Sequence, residues 1–177
     1  LFLAIFSLSV VVYWNSLWGY PIWDDVYVFF GREEWFGEGT SILHFWKQAF
    51  RWPVFQSLLF VMFKMFGKKM FAYHLLSLIL HSLNVVLFYK LLNRFSFKWS
   101  AFAVLLFMLH PMNVQNVSWM IQLKSLLSLT WVFMCLHFYF KRTEHKKYIL
   151  LSCIMFLLML LTKSFLIHPQ DLKSLVV

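Results

Sequence analysis

Val54-Phe55-Gln56-Ser57-Leu58-Leu59-Phe60-Val61-Met62-Phe63-Lys64-Met65-Phe66 is the stretch on which the architecture turns. It is apolar enough to enter a membrane, yet at about 1.5 Å per residue it falls well short of a hydrocarbon core of about 30 Å. It carries Lys64 and ends on Gly67-Lys68-Lys69. Such a segment suits the interface, where it lies along the membrane as an amphipathic helix. The competing reading is a true span, and the topology that each imposes on the rest of the chain separates them.

The surrounding chain leaves little doubt about its solvent. Its 177 residues are 62% hydrophobic and 21% aromatic, with a mean hydropathy of +0.71, against roughly 45–50% apolar residues in a soluble domain. The expected fold is all-α, a polytopic transmembrane helix bundle of about five spans plus the interfacial helix. A net charge of +9 would prompt a search for nucleic acid in a soluble protein. Here the cations lie between apolar runs, so topology accounts for them and no nucleic-acid partner is expected. Cys135 and Cys153 lie inside apolar runs and read as small apolar fillers.

Residues 1–14 are apolar apart from two serines. With neither a basic leader nor a small-residue cleavage site they read as a truncated first span, and the chain as an N-terminal fragment of a longer protein. Trp14, Trp18 and Tyr20 form an interfacial aromatic belt. Residues 15–53 read as an outer loop holding Asp24, Asp25, Glu33, Glu34 and Glu38, five of the seven acids. Residues 71–92, 100–140 and 148–163 supply the later spans. Lys90, Arg94 and Lys98 follow the first of these, and Lys141 to Lys147 precede the last.

If 54–66 lies flat, both basic loops fall on one side and the acidic loop on the other, as the positive-inside rule requires. Counting it as a span puts the acids in the cytoplasm or the basic loops outside. The flat reading is preferred, with Asp24 and Asp25 facing the periplasm or a lumen. The bacterial inner membrane is preferred to the endoplasmic reticulum.

Three features carry site chemistry. Asp24 and Asp25 form a carboxylate pair at a membrane edge, which is a site by default, although solvation of a loop explains them equally well. The turn at His110-Pro111 follows a helix from Ser100 of about 16 Å, which would end within the bilayer. Irregular backbone there must be buried in protein or line a wet cavity, while a simple outer turn remains open because proline is tolerated in a first helical turn. His74, Ser77, His81 and Asn84 share one helix face. They could bind a ligand, but bonding between helices is the commoner use. A spacing of seven between the histidines is not that of a chelating pair, so no metal is assigned and no cofactor is indicated, a divalent ion being conceivable only.

Five blocks in consistent order, from Asn15 to about Pro169, resemble the GT-C membrane glycosyltransferases, in particular the protein O-mannosyltransferase-like proteins that often carry tetratricopeptide repeats downstream. Trp23-Asp24-Asp25 is similar to their first-loop acidic motif, and Arg51-Trp52-Pro53-Val54 to the opening of their juxtamembrane helix. Tyr73 to Asn84, with His74 and His81, resembles a further segment. So does Leu106-Phe107-Met108-Leu109-His110-Pro111 followed by Val117-Ser118-Trp119-Met120-Ile121-Gln122, and so does Leu161-Thr162-Lys163 with Pro169. Gln115 stands where the family has glutamate, Leu123 where it has arginine and Ser125 where many members have aspartate. Lys124 only approximately replaces the missing planar cation.

The resemblance implies sugar transfer from a polyprenyl-phosphate-linked donor in the membrane lipid to a protein or glycan acceptor on the non-cytoplasmic face. Asp24 or Asp25 would be the base, and neighbouring cations would lower its pKa. Arg51, with Lys124 second, would hold the donor phosphate. His110, Pro111, Gln115, His74 and His81 would line the pocket. The alternative is a non-catalytic membrane protein, either a transporter piece or a degenerate, truncated relative, with a polar path reaching the midplane.

Overall fold

The computed structural model describes residues 1–30, 41–43 and 52–163, and among these all regular structure is helical. α1 is Phe2–Val12, followed by a 3-10 helix at Trp14–Trp18. α2 is Asp24–Phe30, α3 Pro53–Phe66, α4 Met70–Arg94 and α5 Ser100–Leu109. α6 is Met112–Ser118, and a 3-10 turn at Met120–Gln122 runs directly into α7, Leu123–Phe140. α8 is Lys147–Thr162. The all-α bundle expected from the sequence is what forms.

Among the described residues, two segments are long and apolar enough to cross a membrane, Met70–Arg94 and Met120–Phe140. Phe2–Val12, Pro53–Phe66, Ser100–Leu109 and Lys147–Thr162 are shorter apolar helices. The turn expected at His110-Pro111 forms, and the structure adds helical segments to the outer loop and a second cut beyond the turn. The 15–53 loop contains a 3-10 helix and α2, and the 100–140 stretch is cut into α5, α6, a 3-10 turn and α7. The cuts fall at Pro111, which cannot donate an N–H to the preceding turn, and at Trp119, whose backbone is extended.

α4 is the centre of the bundle, packed on α1, α5, α6 and α7, while α7 and α8 form an antiparallel pair. Its polar residues His74, Ser77, His81, Ser82 and Asn84 are all buried, where an unpaired polar group is expensive. Asn84 Nδ2 donates to the carbonyl of Leu126 at 3.0 Å, and its Oδ1 accepts the Thr130 hydroxyl at 2.9 Å, tying α4 to α7. The Ser82 hydroxyl lies 3.1 Å from that of Ser9 on α1. Asn84, and His81 through the Met108 carbonyl of α5, thus serve contact between helices, the use favoured from the spacing of the stripe, while the Ser77 hydroxyl donates to the Tyr73 carbonyl of its own helix at 3.2 Å.

The break after Leu109 leaves carbonyls without helical partners, and side chains replace them. The Tyr13 hydroxyl donates to the Met108 carbonyl at 2.9 Å, and His81 Nε2 lies 3.3 Å from the same oxygen. Asn113 donates its amide to the Phe107 carbonyl. Because His81 sits near the middle of α4, the turn is no simple outer connection between two ordinary helices.

α3 buries Phe55, Leu59 and Met62 on one face. Pro53 opens it, and Gly67 closes it at φ +58°, a left-handed conformation that strains other residues. At the basic end of the bundle, an Arg94 guanidinium N–H donates to the Phe140 carbonyl at 2.6 Å, and Phe95 meets Phe140 edge-on at 5.0 Å. The connections after α4 and α7 therefore lie together.

Candidate active site

The two neighbouring aspartates sit in opposite environments. Asp24 opens α2 and is exposed, whereas Asp25 is 1% exposed. Asp25 Oδ1 accepts the backbone N–H of Ile121 at 2.9 Å, from the 3-10 turn before α7. Its Oδ2 accepts the N–H of Ile22 at 3.4 Å. Burial pushes the Asp25 carboxyl up from its ordinary range, backbone N–H groups from Ile121, Ile22 and Met120 pull it partly back, and the charge of Asp24 adds to the rise. This corrects the expected lowering by cations: desolvation outweighs the hydrogen bonds here.

The clamp holds the Ile22-Trp23 edge against α6 and the turn after it. Between them is a cavity of about 520 Å³, with Ile22 and Trp23 on one side and Pro111, Gln115, Ser118 and Trp119 on the other. That volume lies within the roughly 300–1,000 Å³ of small-ligand sites. Trp23 and Trp119 meet edge-to-face with ring centroids 6.1 Å apart. The hydroxyls of Ser16 and Ser118 are 2.5 Å apart and close the groove behind them. Trp23 is 82% exposed and has φ +48°, an arrangement that costs a non-glycine residue about 1–3 kcal/mol and tends to collect at functional sites.

Of the residues singled out from the sequence, Pro111 and Gln115 line this groove. Asp24 is adjacent to it through Trp23, and Asp25 fastens it from beneath. His110 is exposed and serves α6, its Nδ1 accepting the Met112 N–H at 3.2 Å. His74 is buried between the backbones of Gly19 and Val117, with neither ring nitrogen in a hydrogen bond among the described residues. A Cβ on Gly19 would come within 3.2 Å of His74 Nε2 and of the Ser16 carbonyl, so a close approach, not an unusual φ, disfavours a side chain there. His81 belongs to the helix break. Neither histidine lines the groove.

Arg51 lies outside the described residues. Lys124 holds its ammonium 3.9 Å from the centre of the Trp52 ring, a cation–π geometry. Near it, Lys163 Nζ donates to the Ser125 hydroxyl at 3.0 Å, which in turn donates to Gln122 Oε1 at 2.7 Å. No group of three or more potential metal ligands occurs among the described residues.

Trp23, Trp119 and the Ile121 N–H were missed as site elements. Trp23 stood beside the quoted aspartates, but a backbone donor has no signature in sequence.

A family described as dolichyl-phosphate-mannose-protein mannosyltransferase matches residues 50–168. The match takes in the α6 wall of the groove, Lys124 and Lys163, and begins after Asp24 and Asp25. No curated protein and no solved structure matches the chain.

Proposed function

The chain belongs to the dolichyl-phosphate-mannose-protein mannosyltransferase family, and from that premise we propose that it takes part in moving a sugar from a polyprenyl-phosphate donor to a protein or glycan hydroxyl, at the groove between Trp23 and α6. The observation that carries the reading is the division of labour between the two aspartates. Asp25 spends its carboxylate on backbone N–H groups that fix the groove. Asp24, one residue away, is exposed, which suits it to meet an incoming group.

In the proposed step, Asp24 takes the proton of the acceptor hydroxyl as its oxygen attacks the anomeric carbon of the sugar. The bond from that carbon to the donor's phosphate oxygen breaks, and the phosphate leaves with the electron pair. Cations stabilise the charge that develops there. Lys124 is the described cation from the sequence reading that suits this, and Arg51 remains the other candidate.

The groove is placed on the non-cytoplasmic face. The charge asymmetry supports this, and so does the way α3 is tied: Trp52, at its start, meets Lys124 at the start of α7, while the carbonyl of Gly67, at its end, accepts the Tyr73 hydroxyl from the first turn of α4 at 2.8 Å. A helix with both ends at one end of the bundle lies across it, as an interfacial helix does.

Transfer by full-length Asp24→Asn and Asp25→Asn variants tests the proposal. Asp24→Asn should lose about a hundredfold or more in rate, the usual contribution of a positioned base. Asp25→Asn keeps an oxygen for the Ile121 N–H and should lose far less. Normal transfer by Asp24→Asn would overturn the assignment.

A further inference from the structure

We propose that Trp23 is the platform on which the sugar ring of the donor stacks, with the Gln115 carboxamide addressing its hydroxyls, so that these two residues, and not the lipid-holding cations, recognise the sugar. The inference rests on reading the groove as the transfer site and names which part of the donor occupies it.

Three observations lead to it. The first is an exposed indole held at a cost: Trp23 is 82% exposed while its backbone is held at φ +48°. Trp14 and Trp18 are also exposed, at 54% and 63%, from an ordinary 3-10 helix; Trp52 shares the left-handed φ, at +57°, but it is half-buried and its ring is covered by Lys124. The second is the device that maintains it. The Ile22 N–H just before Trp23 goes to the buried Asp25 carboxylate, and the Trp23 carbonyl accepts the Val26 N–H at 3.1 Å.

The third is the company it keeps. Trp23 shares the groove with Trp119 and with Gln115, an exposed residue carrying both a donor and an acceptor. A pyranose presents C–H bonds on its faces and hydroxyls around its rim. The negative face of an indole suits the C–H bonds, and a carboxamide suits the hydroxyls. A polyprenyl tail would use the tryptophans together with Met112 and Val114, which also line the groove, but would leave Gln115 without a role. Asp24 follows Trp23 directly in the chain and is exposed as Trp23 is, which is what a sugar stacked on Trp23 and attacked with the help of Asp24 requires.

The test compares dolichyl phosphate mannose with dolichyl phosphate lacking the sugar, each binding the full-length protein in lipid nanodiscs. Trp23→Ala should weaken the sugar-bearing lipid about tenfold, a loss of about 1.4 kcal/mol, and leave the bare lipid phosphate within about twofold. Trp23→Phe should restore most of the affinity. Gln115→Ala, at an exposed position that the fold tolerates, should weaken only the sugar-bearing lipid, by about three- to tenfold. Equal weakening of both lipids by Trp23→Ala would overturn the proposal in favour of a tail or anchoring role. So would unchanged binding of both by Trp23→Ala and Gln115→Ala. A wild-type protein that binds the two lipids equally also refutes the sugar subsite but leaves transfer standing, whereas one that binds neither refutes the transfer reading itself.

Discussion

The two ends of the bundle solve the same problem, how to finish a helix, by opposite means. At the basic end α4 and α7 stop near Arg94 and Phe140, with exposed cations in short connections and one guanidinium covering a terminal carbonyl. At the groove end the chain breaks repeatedly, bends through two 3-10 segments and a left-handed tryptophan, and buries a carboxylate to hold the pieces. Water can satisfy the first arrangement. The second must be satisfied from within, and such irregular backbone is retained where it lines a cavity. Left-handed backbone occurs at both ends, at Ser96 as at Trp23, so the buried carboxylate and the repeated breaks are what mark the end where chemistry belongs.

The sharpest way to break this contrast is topology, because the outcome is all or none. In a background lacking Cys135 and Cys153, single cysteines at the exposed positions Asn15 and Ser96 should label from opposite sides of the membrane. Labelling of both from one side would dissolve the distinction between the ends. Asp25→Ala comes next. It removes the acceptor of the buried Ile121 N–H and should cost about 1–3 kcal/mol of stability, read as a lowered thermal midpoint together with loss of the groove.

The pH dependence sharpens the same point. Burial raises the Asp25 carboxyl above its ordinary value of 3.8, so the folded chain holds this proton to a higher pH than the unfolded chain does. The stability linked to it is fully present below the ordinary value and is lost as pH rises through the raised one. The thermal midpoint of the wild type should thus fall relative to Asp25→Asn as pH is raised across that window, and a constant difference would show an unperturbed carboxyl. The smallest effect belongs to the other end. Arg94→Ala, at an exposed site, should change stability by no more than about 0.5 kcal/mol, and a large loss there would mean that the basic end is held as tightly as the groove.

Much of the bundle was legible because its physics is local. Hydropathy located the apolar segments, and the spacing of His81 and Asn84 announced contact between helices. Pro111 marked a break because a missing N–H is written in the sequence. The groove was only half legible. Asp24 and Asp25 stood out together as rare acids, but nothing local separates them; the difference arises from Ile121, distant in sequence, whose N–H is the same chemical group as any other residue's. Trp23 stood out only as the neighbour of the aspartates, since left-handed backbone in a tryptophan is imposed by its surroundings and not by its own preference. The histidines misled for the converse reason: polar groups facing the bundle are needed to mend a broken helix as well as to bind ligands.

The mending of that break bears on the order in which the protein can be made. Among the described residues, the long-range hydrogen-bond partners of the irregular stretch around residues 108–121 lie upstream of it: Tyr13 and His81 for the Met108 carbonyl, Ser16 for Ser118, Asp25 for Ile121. A chain emerging from the ribosome therefore has each partner already synthesised when the groups that need it reach the bilayer. Delivered in the opposite order, the same groups would meet hydrocarbon unpaired, where each costs several kcal/mol. Vectorial synthesis and the hydrogen-bond pattern of this fold run in the same direction.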